Sequence, residues 1–250
     1  MILATLIRRD FLQLVHSVHG AGPLFLALCG SSALLLWLLQ RAEGTTETFP
    51  ALWGLAAAVG MPFLAAVAAS RGFTQDRESG MMRLMFSTPV RARGWVLGKV
   101  GAAWLLCMTY LLGLALAAWV LMRWLLPTDA QLPSTWIGFS LVVLTLAIQA
   151  LFWSSLGTLA SLLSRSSAST FLLSLLACLT LPPLVERLAA LLTPNTESQW
   201  PWFPLQAAVY DSAGGFIDIR LLIGCLLISG VLIYIAGLAF DALRLCATER

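Results

Sequence analysis

At 250 residues, with 59% hydrophobic and 11% charged residues and a mean hydropathy of +0.87, the chain is too poor in polar side chains for a water-soluble fold of its size. The net charge of +3 indicates little by itself, because the positions of the charges matter more, and no nucleic-acid partner is expected. The composition predicts an all-α integral membrane protein in which residues 1–250 form a single transmembrane domain.

Residues 1–20 are predicted to form an amphipathic helix. Leu3, Leu6, Phe11 and Leu14 recur at helical spacing, and polar side chains, Asp10 among them, occupy the other side. This pattern is typical of a helix that lies along the membrane surface rather than across it. The order of basic and then apolar residues also fits the start of a signal peptide, but no small-residue cleavage site follows, so we expect the segment to be retained.

Six apolar stretches follow, and each approaches or exceeds the length of about twenty residues that a helix needs to cross a bilayer. They predict six transmembrane helices, at residues 23–40, 51–70, 96–122, 136–163, 169 to about 192, and 221–243. The third and fourth exceed the minimum, so we expect them to tilt or to project beyond the membrane. A further short helix is predicted at residues 205–212, within an outer region that spans residues 182–220.

The charges between the spans predict the orientation of the chain. With the N-terminus inside, eleven of the fifteen Lys and Arg residues fall on the inner side, and the outer side carries more acidic than basic residues. Loops rich in Lys and Arg stay in the cytoplasm. Both termini and the loop of residues 71–99 are therefore predicted to be cytoplasmic.

The outer end of the fifth span is predicted to be broken at Pro182-Pro183, because proline interrupts the helical hydrogen bonding. Backbone groups freed inside a membrane must be buried in protein or face a water-filled cavity. An apolar run resumes after Arg187, which favours a re-entrant outer hairpin with Glu186 and Arg187 in a wet vestibule. The alternative is a helix that ends at Leu181 and is followed by ordinary loop charges.

Enzymatic chemistry is not expected of this chain. The two histidines, His16 and His19, both lie in the N-terminal segment, whereas a hydrolase that works through histidine would need one inside the bundle. The five cysteines include no C-x-x-C pair and fit packing positions. The sequence contains no G-x-x-x-x-G-K-[ST] motif, so ATP is not expected to bind here through a P-loop. We predict no catalytic, cofactor-binding or metal-binding residue.

Polar residues inside the spans indicate packing rather than ion transport. No ionisable residue lies deep in a predicted span, which disfavours an ion-coupled transporter. Gln149 is predicted at mid-bilayer, facing the bundle interior, either as a structural hydrogen-bonding residue or as part of a pathway. Ser154, Gly157, Thr158 and Ser161 share one helix face, which predicts a close-packing surface within the subunit or against a partner.

The loop of residues 71–99 is a long charged segment between two spans, with six basic residues against two acidic ones. Met81, Leu84 and Met85 fall at i, i+3 and i+4, which predicts a short helix with one apolar face. Thr88-Pro89 is predicted to end this helix and to begin the next one. A short amphipathic helix is thus expected on the cytoplasmic side.

The sequence from Phe73 to Lys99 resembles the signature region of ABC-2 type permeases. The matching residues are Glu78-Ser79-Gly80, Leu84, Ser87-Thr88-Pro89-Val90 and Leu97-Gly98-Lys99. Residues 156–170 are similar to the inner turn of that family between its fourth and fifth spans. Residues 214–222 are similar to the segment before the last span in the gliding-motility and copper-enzyme-maturation permeases. The chain departs from the pattern at residues 81–83, where the family more often has T-L-E.

The resemblance implies half of a transporter. Two such subunits, or this one with a related permease, would form a path through the inner membrane of a bacterium above two separate ATPase subunits, which bind ATP and magnesium. Export is expected, because the family is mostly exporting. The short helix would be the coupling helix seated in a groove of the ATPase. The coupling residues implied are Glu78, Gly80, Arg83, Leu84, Met85, Phe86, Ser87, Thr88 and Pro89.

The candidate pathway or outer-gate residues are Gln149, Pro182, Pro183, Glu186 and Arg187. The alternative function is a non-transporting membrane scaffold or accessory subunit, which would recruit a soluble partner to the cytoplasmic loop. An ATPase with a P-loop that co-purifies with the chain would distinguish the permease from the scaffold.

Overall fold

The computed structural model describes residues 2–41, 49–88, 90–125, 132–192 and 205–248. These residues form ten α-helices and no strand, which confirms the all-α prediction for this part of the chain. The helices are α1 (Ile2–His16), α2 (Val18–Arg41), α3 (Phe49–Ser70), α4 (Phe73–Glu78), α5 (Met81–Ser87), α6 (Ala92–Leu125), α7 (Leu132–Leu163), α8 (Ser167–Leu192), α9 (Leu205–Ala213) and α10 (Ile219–Thr248).

Five of the helices contain a stretch long and apolar enough to cross a membrane, namely α2, α3, α6, α7 and α10. They match the first four predicted spans and the last one. The fifth predicted span corresponds to α8, whose apolar stretch within the residues searched is Ser167–Thr180 and is shorter than a span. The prediction of six spans is therefore confirmed for five.

Helix α8 corrects the prediction at Pro182-Pro183. The helix continues through both prolines to Leu192 as one element, so neither the predicted break nor a helix end at Leu181 is present. Membrane helices tolerate proline where neighbouring groups and local adjustments satisfy the freed backbone. The chain therefore does not turn back along α8, and any return beyond it falls on residues 193–204, which lie outside the described residues. The short helix predicted at residues 205–212 is present as α9.

Helix α3 occupies the centre of the bundle and packs against α2, α6, α7, α8 and α9. Its alanines and glycines allow this close approach, because small side chains let helix backbones come together in a membrane. A Cβ at Gly60 would collide with the Tyr110 hydroxyl, which lies 2.6 Å from Ser31 Oγ. The alanines and glycines spread over positions 54–69 thus explain how this helix can be surrounded by neighbours on most sides.

The small-residue face of α7 packs inside the subunit. A Cβ at Gly157 would stand 3.0 Å from the Ala69 Cβ, so α7 and α3 touch there. Ser161 Oγ accepts a hydrogen bond of 2.7 Å from the backbone N–H of Phe73. The packing surface predicted from this face is confirmed, and its partners are helices of the same chain.

Helix α1 confirms the predicted N-terminal helix and packs against α6 and α2. Leu6 and Ile7 lie directly over Gly98 and Gly101 of α6, where there is no room for a larger side chain. Asp10, expected on the polar side, is only 4% exposed. The polar side of α1 therefore also faces protein in part, because it has a charged partner on α6.

Candidate functional site

The predicted loop helix is present as α5, joined to α4 by the turn Ser79-Gly80. Gly80 has φ 74°, in the left-handed region that a residue with a Cβ rarely enters, so this tight reversal requires glycine. The Thr88 hydroxyl donates to the Met85 carbonyl at 2.7 Å and so closes the end of α5. Helix α6 begins at Ala92, so Thr88-Pro89 does not begin the next helix as predicted. The Thr88 side chain is instead used by the helix before it.

Ser161 of α7 caps the start of α4. Its Oγ accepts hydrogen bonds from the N–H groups of Phe73 at 2.7 Å and Thr74 at 3.3 Å, which are among the donors that a helix leaves unpaired at its first turn. The Phe73 ring is buried against Phe240 of α10, with 5.4 Å between the ring centroids. Helix α4 is thus fixed to two spanning helices at its first residue.

Arg77 and Glu78 attach the other end of α4 to the turn between α7 and α8. Arg77 donates from Nη1 to the Ser164 carbonyl and from Nη2 to the Leu162 carbonyl at 3.0 Å. A cation at these carbonyls also opposes the negative end of the α7 dipole. Glu78 accepts from the Ser167 backbone N–H at 2.8 Å and from the Ser167 hydroxyl at 2.7 Å, where α8 begins. One residue therefore caps α7 and the next caps α8.

Glu78 lies at the exposed end of α4, beyond the apolar part of the bundle. The hydrogen bonds from the Ser167 hydroxyl and backbone, helped by the charge of Arg71, lower the pKa of its carboxyl. Glu78 is therefore ionised at neutral pH, and the cap on α8 is a charge-assisted one.

Lys99 joins α1, α4 and α6 through two carboxylates. Its Nζ lies 2.7 Å from Asp76 Oδ2 and 3.3 Å from Asp10 Oδ2, and Asp10 Oδ1 lies 2.7 Å from Arg9 Nη2. Lys99 and Asp10 are both buried. Within the described part of the chain, no other donor reaches either Oδ2 atom, so the Lys99 ammonium is what compensates them. We call Asp10, Asp76 and Lys99 the charged triad.

Helix α5 presents different side chains to the bundle and to the outside. Met82 and Met85 are buried, and the Phe86 ring meets Phe240 with 5.4 Å between centroids. Met81 and Leu84 point outward, and Leu84 is 62% exposed. The prediction that Met81, Leu84 and Met85 form a single apolar face is therefore wrong, because both sides of this short helix carry apolar residues.

Helices α4 and α5 lie within the segment, Phe73 to Lys99, that resembles the signature region of ABC-2 type permeases. A family model described as ABC-2 family transporter protein matches residues 8–200, which include α4, α5 and the charged triad. The chain belongs to this family. A search of the curated proteins found no match. As an ABC-2 family member, the chain is a multi-pass permease subunit of an ABC transporter, and this favours transport over the scaffold.

The structure of this ABC-2 permease brings most predicted coupling residues together in α4, α5 and the turn between them. Arg83, Leu84 and Ser87 are exposed, whereas Met85 faces the bundle and Phe86 is partly buried. Pro89 lies outside the described residues. The predicted coupling residues thus divide into an outward group and a group that holds α5 in place.

The predicted pathway residues lie elsewhere in the permease. Gln149 is buried in α7, as predicted, and its Nε2 has no hydrogen-bond partner within the described residues. Pro182, Pro183, Glu186 and Arg187 lie on α8, where the backbone alone is described.

The ion pairs of Asp10 and Asp76 with Lys99, the cap that Ser161 forms on α4 and the contact of Ser167 with Glu78 were not predicted from the sequence. Lys99 was singled out as part of the L-G-K motif. A stronger signal was its position, since an ammonium group followed by 23 residues without another charge needs a buried partner or the membrane surface.

Proposed function

We propose that this ABC-2 permease is the membrane subunit of an ATP-driven exporter whose α5 is the coupling helix for a separate ATPase subunit. The observation that carries the proposal is that two apolar side chains of the short helix α5, Met81 and Leu84, are exposed. An exposed leucine flanked by the basic Arg83 fits a contact with a soluble partner, because the hydrocarbon core of the membrane would not accommodate the charge.

The attachments of α4 and α5 support a coupling role. Side chains or backbone groups of α6, α7, α8 and α10 contact this pair of helices, through Lys99, the two caps and Phe240, and α1 is linked to it through the Asp10–Lys99 ion pair. The Thr88 carbonyl also accepts a hydrogen bond of 3.1 Å from Arg244 on α10. A displacement of α5 by an ATPase would therefore be passed to several spanning helices at once, as a rigid-body switch requires.

The pathway in this proposal is formed by two permease subunits, either two copies of this chain or this chain with a related permease. Gln149 is the candidate pathway residue, and the residues of α8 from Pro182 to Arg187 are the candidate outer gate. Export is the direction that the family resemblance supports. The ATPase supplies the ATP and magnesium site, and the complex lies in the inner membrane of a bacterium.

The direct test is co-purification with an ATPase. We expect the tagged permease to retain a P-loop ATPase encoded beside it, when the two are co-expressed and extracted in mild detergent, and to raise its ATP hydrolysis. The P-loop ATPase of an unrelated transporter serves as the control. Equal recovery of both ATPases, or of neither, would contradict the proposed coupling.

The topology can be tested separately by cysteine labelling. In a chain whose five native cysteines are replaced, a cysteine at the exposed Ser79 should react with an impermeant maleimide only after the cells are opened. A cysteine at Phe216, which is 76% exposed and predicted to lie outside, should react in intact cells. The reason is the excess of Lys and Arg on the side of residues 71–99. Labelling of the Ser79 position from outside would show that the orientation is inverted.

A further inference from the structure

A cavity of about 880 Å³ lies between α1, α3, α6 and the α4–α5 pair. Its lining is unusually charged for a protein of this composition. Five basic residues line the cavity, namely Arg9, Arg71, Arg77, Arg83 and Lys99. Three acidic residues also line it, namely Asp10, Asp76 and Glu78. The cavity therefore carries an excess of positive charge.

The three carboxylates of the cavity are already engaged by the protein. Asp10 and Asp76 belong to the charged triad, and Glu78 caps α8. Among the basic residues, Arg77 donates to two backbone carbonyls. For Arg71 and Arg83, the described part of the chain places no carboxylate within ion-pair distance. Their two charges are the excess that the cavity presents.

The cavity also has a charged part and an apolar part. Ala68 and Ala69 precede Arg71 on α3, and Ala102 and Ala103 follow Lys99 on α6, so both helices place small apolar residues deeper than the charges. Arg71 directly follows the apolar helix α3, and Lys99 lies near the start of α6. This is the depth at which lipid headgroups meet a spanning helix.

We propose that this cavity binds the phosphate headgroup of an anionic membrane lipid, with Arg71 and Arg83 as the phosphate-binding residues. Guanidinium groups match phosphate oxygens in a planar, two-point geometry. Ala68, Ala69, Ala102 and Ala103 form the apolar floor of the cavity. This floor fits the apolar glycerol-ester end of a lipid, whereas a free phosphate ion has no apolar part to place there. A bound headgroup would link the turn after α3 to α5 and so brace the coupling helix, a role beyond the transport activity proposed above.

The test measures lipid binding by the purified full-length chain in detergent, with phosphatidylglycerol as the probe and phosphatidylcholine as the zwitterionic reference. Native mass spectrometry counts the retained lipids. We expect selective retention of phosphatidylglycerol, and an affinity about thirtyfold lower in the Arg71→Gln/Arg83→Gln variant, because each glutamine removes one positive charge from beside the phosphate. The matched control is Arg91→Gln/Arg165→Gln, which removes two exposed arginines that do not line the cavity.

Two further variants separate the site from a general charge effect. Arg71→Lys/Arg83→Lys keeps the charge and should retain most of the binding. Ala103→Leu fills the floor without changing a charge and should reduce lipid retention. An equal loss of binding in the Arg91/Arg165 control, or full retention in the Arg71/Arg83 glutamine variant, would overturn the proposal.

Competition distinguishes the lipid from other ligands. Millimolar inorganic phosphate should leave phosphatidylglycerol bound, because it lacks the apolar part. Displacement by phosphate alone would overturn the lipid assignment in favour of a soluble anion. Binding of the ATPase subunit that is lost in the Arg71→Gln/Arg83→Gln variant, without any retention of phosphatidylglycerol by the parent, would instead identify the cavity as a protein-binding surface and overturn the proposal.

Discussion

Replacing Lys99 with methionine should lower the free energy of unfolding by about 3–5 kcal/mol, because Asp76 loses its ion-pair partner and the buried Asp10 keeps only Arg9. Asp10 and Asp76 both direct Oδ2 at the ammonium, and Asp10 is buried. Methionine fills the volume of the lysine side chain but cannot compensate two carboxylates. Thermal unfolding in detergent, followed by tryptophan fluorescence, measures the change in stability.

Two variants serve as controls for the Lys99 experiment. Arg91→Met removes an exposed positive charge from the same loop and should change stability little. The triple variant Asp10→Asn/Asp76→Asn/Lys99→Met removes all three charges of the triad and should recover most of the stability, because replacing a whole buried ion cluster is far less costly than breaking it. A melting temperature of Lys99→Met equal to that of the parent would show that the triad does not hold α1 and α4 to α6.

Replacing Leu84 with aspartate should abolish the co-purification of the ATPase while leaving the permease folded. Leu84 is 62% exposed and makes no tight contact in the bundle core, so the subunit has little to lose. In a protein contact, a central apolar anchor is worth about 2 kcal/mol or more, and an unpaired buried charge adds several more. The expected fall in affinity is therefore at least about a hundredfold, measured by ATPase recovery and stimulated hydrolysis.

The same charge at another exposed leucine gives the control. Leu163 at the end of α7 is 66% exposed and lies outside α5, so Leu163→Asp should retain the ATPase. Phe86→Asp should behave differently from both, because Phe86 packs on Phe240 inside the subunit and its replacement should lower the melting temperature of the permease itself. Normal ATPase recovery with Leu84→Asp would remove α5 from the proposed interface.

The features that the sequence predicted correctly are those set by local pattern. The length and apolar content of each span predicted five of the helices that the structure describes, because a helix must satisfy its own backbone in lipid. Helix α5 and its end at Thr88 followed from the methionine–leucine spacing and from the proline after it. The family, too, was visible in the loop motifs and is confirmed by the family match.

The features that the sequence missed depend on which helix faces which. The period of α5 could not say that Met85 turns inward and Leu84 outward, because both sides of the helix carry apolar residues. Likewise, the helical rule for proline predicted a break at Pro182-Pro183, whereas α8 continues through it. A local propensity of this kind is overridden when the surroundings satisfy the backbone.

The charged triad shows the same division most clearly. The sequence by itself determined that Asp10 lies on the polar side of an amphipathic helix, and that Asp76 and Lys99 lie in the charged loop between two spans. That they meet was decided by the packing of α1 over Gly98 and Gly101, which brings Asp10 within 3.3 Å of Lys99 across 89 residues of chain. The spacing of residues along the chain predicts which side chains lie on the same face of a helix. It does not predict which helices pack together, because residues far apart in the sequence follow no common periodicity.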